Sequence, residues 1–286
     1  MPATSRTGSR TARVSQWEGE LAFASEVALQ AGAVLQAGYQ NVERITHKSR
    51  RDVVTDVDYR SEELVIKAIR GAYPHDAILA EESGRHGGDI RAAKGRTWVI
   101  DPLDGTVNYA NSIPYYSVSI GLVALGKPVV GVVLDPARGD LYAAAADGPA
   151  RLNGEVVGAS DKDQLADYVV SLAIIGRGGI GRERRIARRI RISRRMGSFA
   201  LSLAYVASGR FDAVVQNGGL SLWDVAAAGL IAERAGATVT DLQGGPWWDA
   251  SRASATVSIV AAPQPQHAEL LALLRGVGTS VQTRRP

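Results

Sequence analysis

Apolar residues recur at helical spacing from Trp17 to about Tyr39, where Leu21, Ala24, Val27, Ala28, Ala31 and Leu35 mark one face of an amphipathic helix. A second helix is expected from Asp58 to about Ala72. It carries Leu64, Val65, Ala68 and Ile69 on one side and acidic residues in its first turns, where the helix dipole favours them. Residues 77–80 read as a short buried strand ending at Glu81-Glu82. Trp98-Val99-Ile100 has the character of a covered strand, and Asp101-Pro102 is expected to end it, because proline cannot continue the ladder. Antiparallel strands follow at 117–125, 128–135 and 141–146, separated by Gly126-Lys127, Pro136 and Gly139.

In the second half the pattern alternates. Strands are expected at 169–174, 190–193, 213–216 and 257–262, and helices at 182–189, 197–208, 223–235 and 267–274. Gly236 supplies a helix stop. Mixed helices and sheets in this order imply a layered α/β or α+β architecture. A soft boundary in the polar stretch 159–164 divides the chain into a tail (1–15), an N-terminal α+β half (16–158) and a C-terminal α/β half (159–286).

Composition narrows the chemistry. The chain has 286 residues, 45% of them hydrophobic, and no cysteine, which excludes disulfides, thiolate zinc sites and cysteine nucleophiles. No apolar run reaches a bilayer-spanning length, and the N-terminus lacks the apolar core of a secretory signal, so a cytoplasmic protein with no membrane partner is expected. Arg6, Arg10 and Arg13 among Ser, Thr and Gly read as a disordered tail. Against a formal charge of +4, residues 177–195 hold nine Arg and one Glu, so the rest of the chain carries −4. Basicity is therefore local. Arg184, Arg188, Arg191 and Arg195 would share a helical face if a helix continued throughout, either as a solvated face or as a second phosphate clamp.

Four acidic positions from distant segments share one setting: Glu81 after a strand, Asp101 and Asp104 after another, and Asp224 at a helix start. Each alone has a plain reading, as a solvated strand end, a turn or a helix-terminal charge. Together, beside Gly105-Thr106 with backbone N–H groups at a helix start, they point to a phosphate and metal site.

Three ordered motifs carry a resemblance. They are Leu79-Ala80-Glu81-Glu82-Ser83, the run Trp98-Val99-Ile100-Asp101-Pro102-Leu103-Asp104-Gly105-Thr106, and Leu222-Trp223-Asp224-Val225-Ala226-Ala227-Ala228-Gly229, with Val53-Val54-Thr55 and Asp58 as a fourth match. In these the chain resembles the inositol monophosphatase family of Mg²⁺-dependent, Li⁺-sensitive phosphatases. The resemblance implies an αβαβα sandwich of the inositol monophosphatase and fructose-1,6-bisphosphatase type. It also implies Glu81, Asp101, the Leu103 carbonyl, Asp104 and Asp224 as ligands of two or three Mg²⁺ ions, inhibition by Li⁺, and a homodimer. Catalysis falls to Asp58, Thr106 and Glu81, with Asp58 also readable as a helix cap. Leu103, Asp104, Gly105, Thr106, Gly197, Ser198, Asn217 and Asp224 are expected to surround the substrate.

The substrate side departs from the family. Where inositol-specific members have a glutamate seven residues before the Trp-Asp aspartate, this chain has Asn217, and Phe199 stands where Ala is usual. A small polyol or sugar phosphate is the expected substrate. The alternatives are a fructose-1,6-bisphosphate, a histidinol phosphate, a 3′-phosphonucleotide stacked on Phe199, Trp247 or Trp248, or a regulatory role in binding RNA or polymerase.

Overall fold

The computed structural model describes residues 15–49, 52–88, 95–250 and 257–276. The basic tail lies outside them except for Ser15, whose hydroxyl donates to Asp147 (2.5 Å). Helix α1 (Glu18–Gly38) buries Ala24, Val27, Ala28, Ala31 and Leu35. It is followed by an antiparallel hairpin, β1 (Ile45–Ser49) and β2 (Asp52–Thr55), which is polar enough to escape a periodicity reading. Helix α2 (Asp56–Ala72) begins two residues before the expected Asp58, because Thr55 is its N-cap.

The next strands form one eight-stranded sheet: β3 (Ala77–Ala80), β4 (Gly84–His86), β5 (Arg96–Asp104), β6 (Ser117–Ala124), β7 (Lys127–Asp135), β8 (Asp140–Ala145), β9 (Arg151–Leu152) and β10 (Glu155–Val156). Their order is β10-β9-β8-β7-β6-β5-β3-β4, parallel only between β3 and β5. A short helix, α3 (Thr106–Ala110), interrupts the path from β5 to β6.

The second sheet is built from β11 (Val169–Ile174), β12 (Ile192–Arg194), β13 (Ala213–Leu220), β14 (Thr238–Thr240) and β15 (Val257–Ala262), in the order β12-β11-β13-β15-β14. Helices α4 (Gly179–Ala187), α5 (Phe199–Val206), α6 (Leu222–Arg234) and α7 (Gln266–Arg275) connect or follow these strands.

Alternation along the strands assigns the layers. On β5, Trp98 and Ile100 face α1 and α2, whereas Val99 joins a core shared with α5 and α6. On β13, Val214 enters that same middle core, and Ala213 and Val215 face α4 and α7. The result is an αβαβα sandwich, with α5 and α6 between the two sheets. Strands β6 and β7 are buried on both faces, which is why they read as nearly continuous apolar runs.

Two expectations are corrected. Pro102 does not end β5: the ladder to β6 resumes, with Asp101 opposite Ser119 and Asp104 opposite Ser117, so β5 carries one extra residue in a bulge. A bulge tolerates the missing proline N–H, and the hydroxyl of Ser61 on α2 donates to the Pro102 carbonyl (3.0 Å). The arginines do not share one helical face, because α4 stops at Ala187 and the chain turns into the edge strand β12.

Candidate active site

The bulge places three oxygen donors on one short stretch. Asp101 and Leu103 are 1% exposed and Asp104 is 8% exposed, and the Leu103 N–H donates to Asp101 Oδ1 (3.1 Å). Asp224 arrives from the first turn of α6. The nearest carboxylate oxygens of Asp101, Asp104 and Asp224 all lie within 4.8 Å of one another. Glu81, in the turn after β3, joins them: its N–H bonds the Ile100 carbonyl (3.2 Å) and its carboxyl hydrogen-bonds Asp101.

Burial pushes the Asp101 carboxyl well above the usual carboxylate range, and the charges of Glu81, Asp104 and Asp224 push it further. Asp224 is raised by burial and then by Asp104, against the Ser221 N–H that donates to its Oδ2 (2.5 Å). Asp104 is also raised by burial. It is opposed by the Ser198 hydroxyl (2.6 Å) and the backbone N–H groups at the start of α5, Ala200 N among them (2.7 Å). A cluster of this kind stores mutual repulsion that a cation relieves. Carboxylates and a carbonyl, without sulfur or imidazole, suit a hard divalent ion such as Mg²⁺.

Asp58 caps a helix and also holds Thr106. Its Oδ2 caps α2 by accepting from Thr55 N (2.8 Å) and Thr55 Oγ1 (2.5 Å), while Oδ1 accepts from Thr106 Oγ1 (3.0 Å). Burial raises this carboxyl too, against those hydrogen bonds. The Thr106 hydroxyl has one proton and two acceptors, since the Leu103 carbonyl is also 3.0 Å away.

Gly105 caps α3 with φ 95°, and a Cβ there would come within 3.1 Å of both Ser198 Cβ and the Tyr115 carbonyl. Glycine avoids both clashes, and the first-turn N–H groups of α3 have no acceptor inside the helix. Gly197 (φ 86°) leaves room for Asn108, whose amide donates to Tyr115 O and Met196 O (both 2.7 Å) and clamps this loop to α3.

A cavity of about 550 Å³ is lined by Glu81, Asp101, Asp104, Thr106, Trp223 and Asp224, and Leu103, Gly105 and Gly197 also border it. A second, of about 460 Å³, shares Asp104, Gly197 and Asp224 with it and extends to Ser198, Ser171, Gln216, Arg195 and Phe199. Ser198 is 1% exposed and spends its proton on Asp104. Asn217 does not reach either cavity: its amide donates to the Ile175 carbonyl (3.3 Å), and Gln216 lines the wall instead. Phe199 is 6% exposed, packs in the middle core and borders the second cavity. Trp247 and Trp248 lie elsewhere, bonded to Glu233 (2.7 Å) and the Gly126 carbonyl (3.0 Å), so they offer no stacking surface here. Of the four arginines singled out, only Arg195 borders the site, paired with Glu183 (2.6 Å).

One supporting residue escaped the motif reading. Glu62, 3% exposed on α2, accepts from Glu82 N and Ser83 N, both at 2.8 Å. Its position four residues after Asp58, on the same helical face, was the available signal.

The family model described as the inositol monophosphatase family matches residues 16–278. The chain belongs to the inositol monophosphatase family. It is therefore a phosphomonoesterase. A relative from Pasteurella multocida (strain Pm70), named Nus factor SuhB, is 38% identical over 236 residues, covering 79% of this chain and 86% of the relative. An inositol monophosphatase of Mesembryanthemum crystallinum is 32% identical over 235 residues, 78% and 86% of the two chains. Among solved structures, the IMPase of Thermotoga maritima superposes with a TM-score of 0.81 at 30% identity, over 91% of this chain and 98% of that one. Among the described residues no helix is long and apolar enough to cross a membrane.

Proposed function

We propose that the chain hydrolyses a small polyol or sugar phosphate by attack of water, with Glu81, Asp101, the Leu103 carbonyl, Asp104 and Asp224 holding Mg²⁺. The observation that carries this reading is the meeting of three carboxylates within 4.8 Å beside the Thr106–Asp58 hydrogen bond. Bound Mg²⁺ would supply a lowered water pKa and charge neutralisation at the phosphate and the departing alkoxide.

The protein's own part is positioning and proton handling. Thr106 Oγ1 accepts a proton from water while passing its own to Asp58, whose raised pKa suits it to that task. The N–H groups of Gly105 and Thr106 face the phosphate oxygens. The alcohol half extends into the second cavity, where Gln216 and Ser171 offer neutral hydrogen bonds in place of a carboxylate. Two or three ions, inhibition by Li⁺ and a cytoplasmic homodimer complete the reading, as the family implies.

Asp101→Asn and Asp224→Asn should each abolish Mg²⁺-dependent phosphate release from myo-inositol 1-phosphate, fructose-1,6-bisphosphate, histidinol phosphate and 3′-phosphoadenosine 5′-phosphate. Wild-type rates in saturating Mg²⁺ would falsify the assignment.

A second reading is favoured by two observations. Arg177, Arg184 and Arg188 are exposed and have no carboxylate partner among the described residues, and a 38% identical relative is named a Nus factor. Such a surface would give steeply salt-dependent binding to RNA, lost when those arginines are neutralised. Absence of binding near physiological salt would exclude it.

A further inference from the structure

Helix α2 contacts the segments that carry the carboxylate cluster at three separate points from one buried face. Asp58 Oδ1 holds Thr106, Ser61 Oγ holds the Pro102 carbonyl in the β5 bulge, and Glu62 holds the turn that follows Glu81. These three side chains are 0%, 0% and 3% exposed. The first two act on β5 and α3, while Glu62 alone acts on the segment that delivers Glu81.

Glu62 completes a run of pinned donors. The N–H of Glu81 extends the β3–β5 ladder to Ile100, and the next two N–H groups, of Glu82 and Ser83, go one to each oxygen of the Glu62 carboxylate. Three consecutive peptide groups are thus fixed, and with them the backbone from which the Glu81 side chain leaves β3. A turn held only by solvent would let Glu81 withdraw from Asp101, toward which burial and repulsion already make approach costly.

We propose that Glu62 is a positioning residue that sets the divalent-cation affinity of the site by fixing the Glu81–Ser83 turn. This rests on the metal assignment made under the proposed function. The carboxylate is required because both neighbours are donors. A glutamine in the same place can accept from one N–H only, and its NH₂ would face the other donor. Loss of an outer support of this kind weakens metal binding by about tenfold or more.

The test is Mn²⁺ binding to the full chain, followed by electron paramagnetic resonance of the free ion, with melting in chelator as the measure of fold. Glu62→Gln should raise the Mn²⁺ dissociation constant about tenfold, and phosphate release should recover toward the wild-type rate as Mg²⁺ is raised. Glu62→Asp keeps the charge but is one methylene too short to span both N–H groups, and it should shift affinity in the same direction, which covers the case in which the glutamine variant fails to fold. Asp101→Asn is the control. If it abolishes binding while the folded Glu62 variants stay within about twofold of wild type, Glu62 serves the fold only and the inference is overturned. If Asp101→Asn binds Mn²⁺ as wild type does, the metal assignment fails and takes this inference with it.

Discussion

Asp58 and Asp224 occupy the same place in their helices, the third residue after the N-cap, and each gives one oxygen to the N–H of that cap, Thr55 or Ser221. The other oxygen is thereby aimed into the site at no further conformational cost, since a capped first turn has few alternatives. The cluster that Asp224 forms with Asp101 and Asp104 is unfavourable without a cation. Asp101 and Asp224 hold protons in the folded chain at pH values where the unfolded chain, with an ordinary value of 3.8, has lost them. Stability of the metal-free protein therefore falls as pH rises from that value through the raised folded one. Asp101→Asn removes one of the repelling groups. In chelator near neutral pH it is expected to melt above wild type, by roughly 2–4 °C for each kcal/mol relieved. Scanning calorimetry should show the gap closing in mild acid; a gap that widened there would count against burial and repulsion as its cause.

Elements show what could be read ahead of the structure. Strands β3, β11 and β15 fall on short apolar runs, and their limits coincide with 77–80, 169–174 and 257–262. The hairpin β1–β2 and the three-residue β14 carry too few apolar positions for a period to register. The carboxylate cluster was legible because Asp101 and Asp104 lie in one unbroken motif. Asn217 was misplaced because β13 is irregular: Gly218 and Gly219 both take positive φ, and the pairing with β15 shifts between Asn217 and Leu220, so counting along the chain does not follow the wall of the cavity. Glu62 was overlooked because a glutamate on an amphipathic helix ordinarily faces solvent. At the junction of β5 and α3, Gly105→Ala must place a side chain in the left-handed region against Ser198 and Tyr115. A loss of about 1–2 kcal/mol or more in urea denaturation is expected, together with loss of phosphate release.

Across the whole molecule the site depends on how closely the middle helices approach the first sheet. A Cβ on Gly131 of β7 would fall 2.5 Å from the Ala227 carbonyl of α6, and one on Gly121 of β6 would fall 3.2 Å from Ala226 Cβ. Glycine facing alanine sets the depth at which α6 lies, and hence where Asp224 meets Asp101 and Asp104. Gly131→Ala should cost about 1–3 kcal/mol as overpacking and, by lifting α6, weaken Mn²⁺ binding. Unchanged affinity in a destabilised variant would separate packing from site geometry. Trp223 sits on the same seam: the Ser119 hydroxyl of β6 donates to its carbonyl (3.2 Å), and of the five tryptophans it alone lines the carboxylate cavity. Its indole makes the contact between sheet and helix optically visible. Titration with Mg²⁺ should produce a saturable change in emission that disappears in Trp223→Phe, giving a readout of cation capture that needs neither substrate nor turnover.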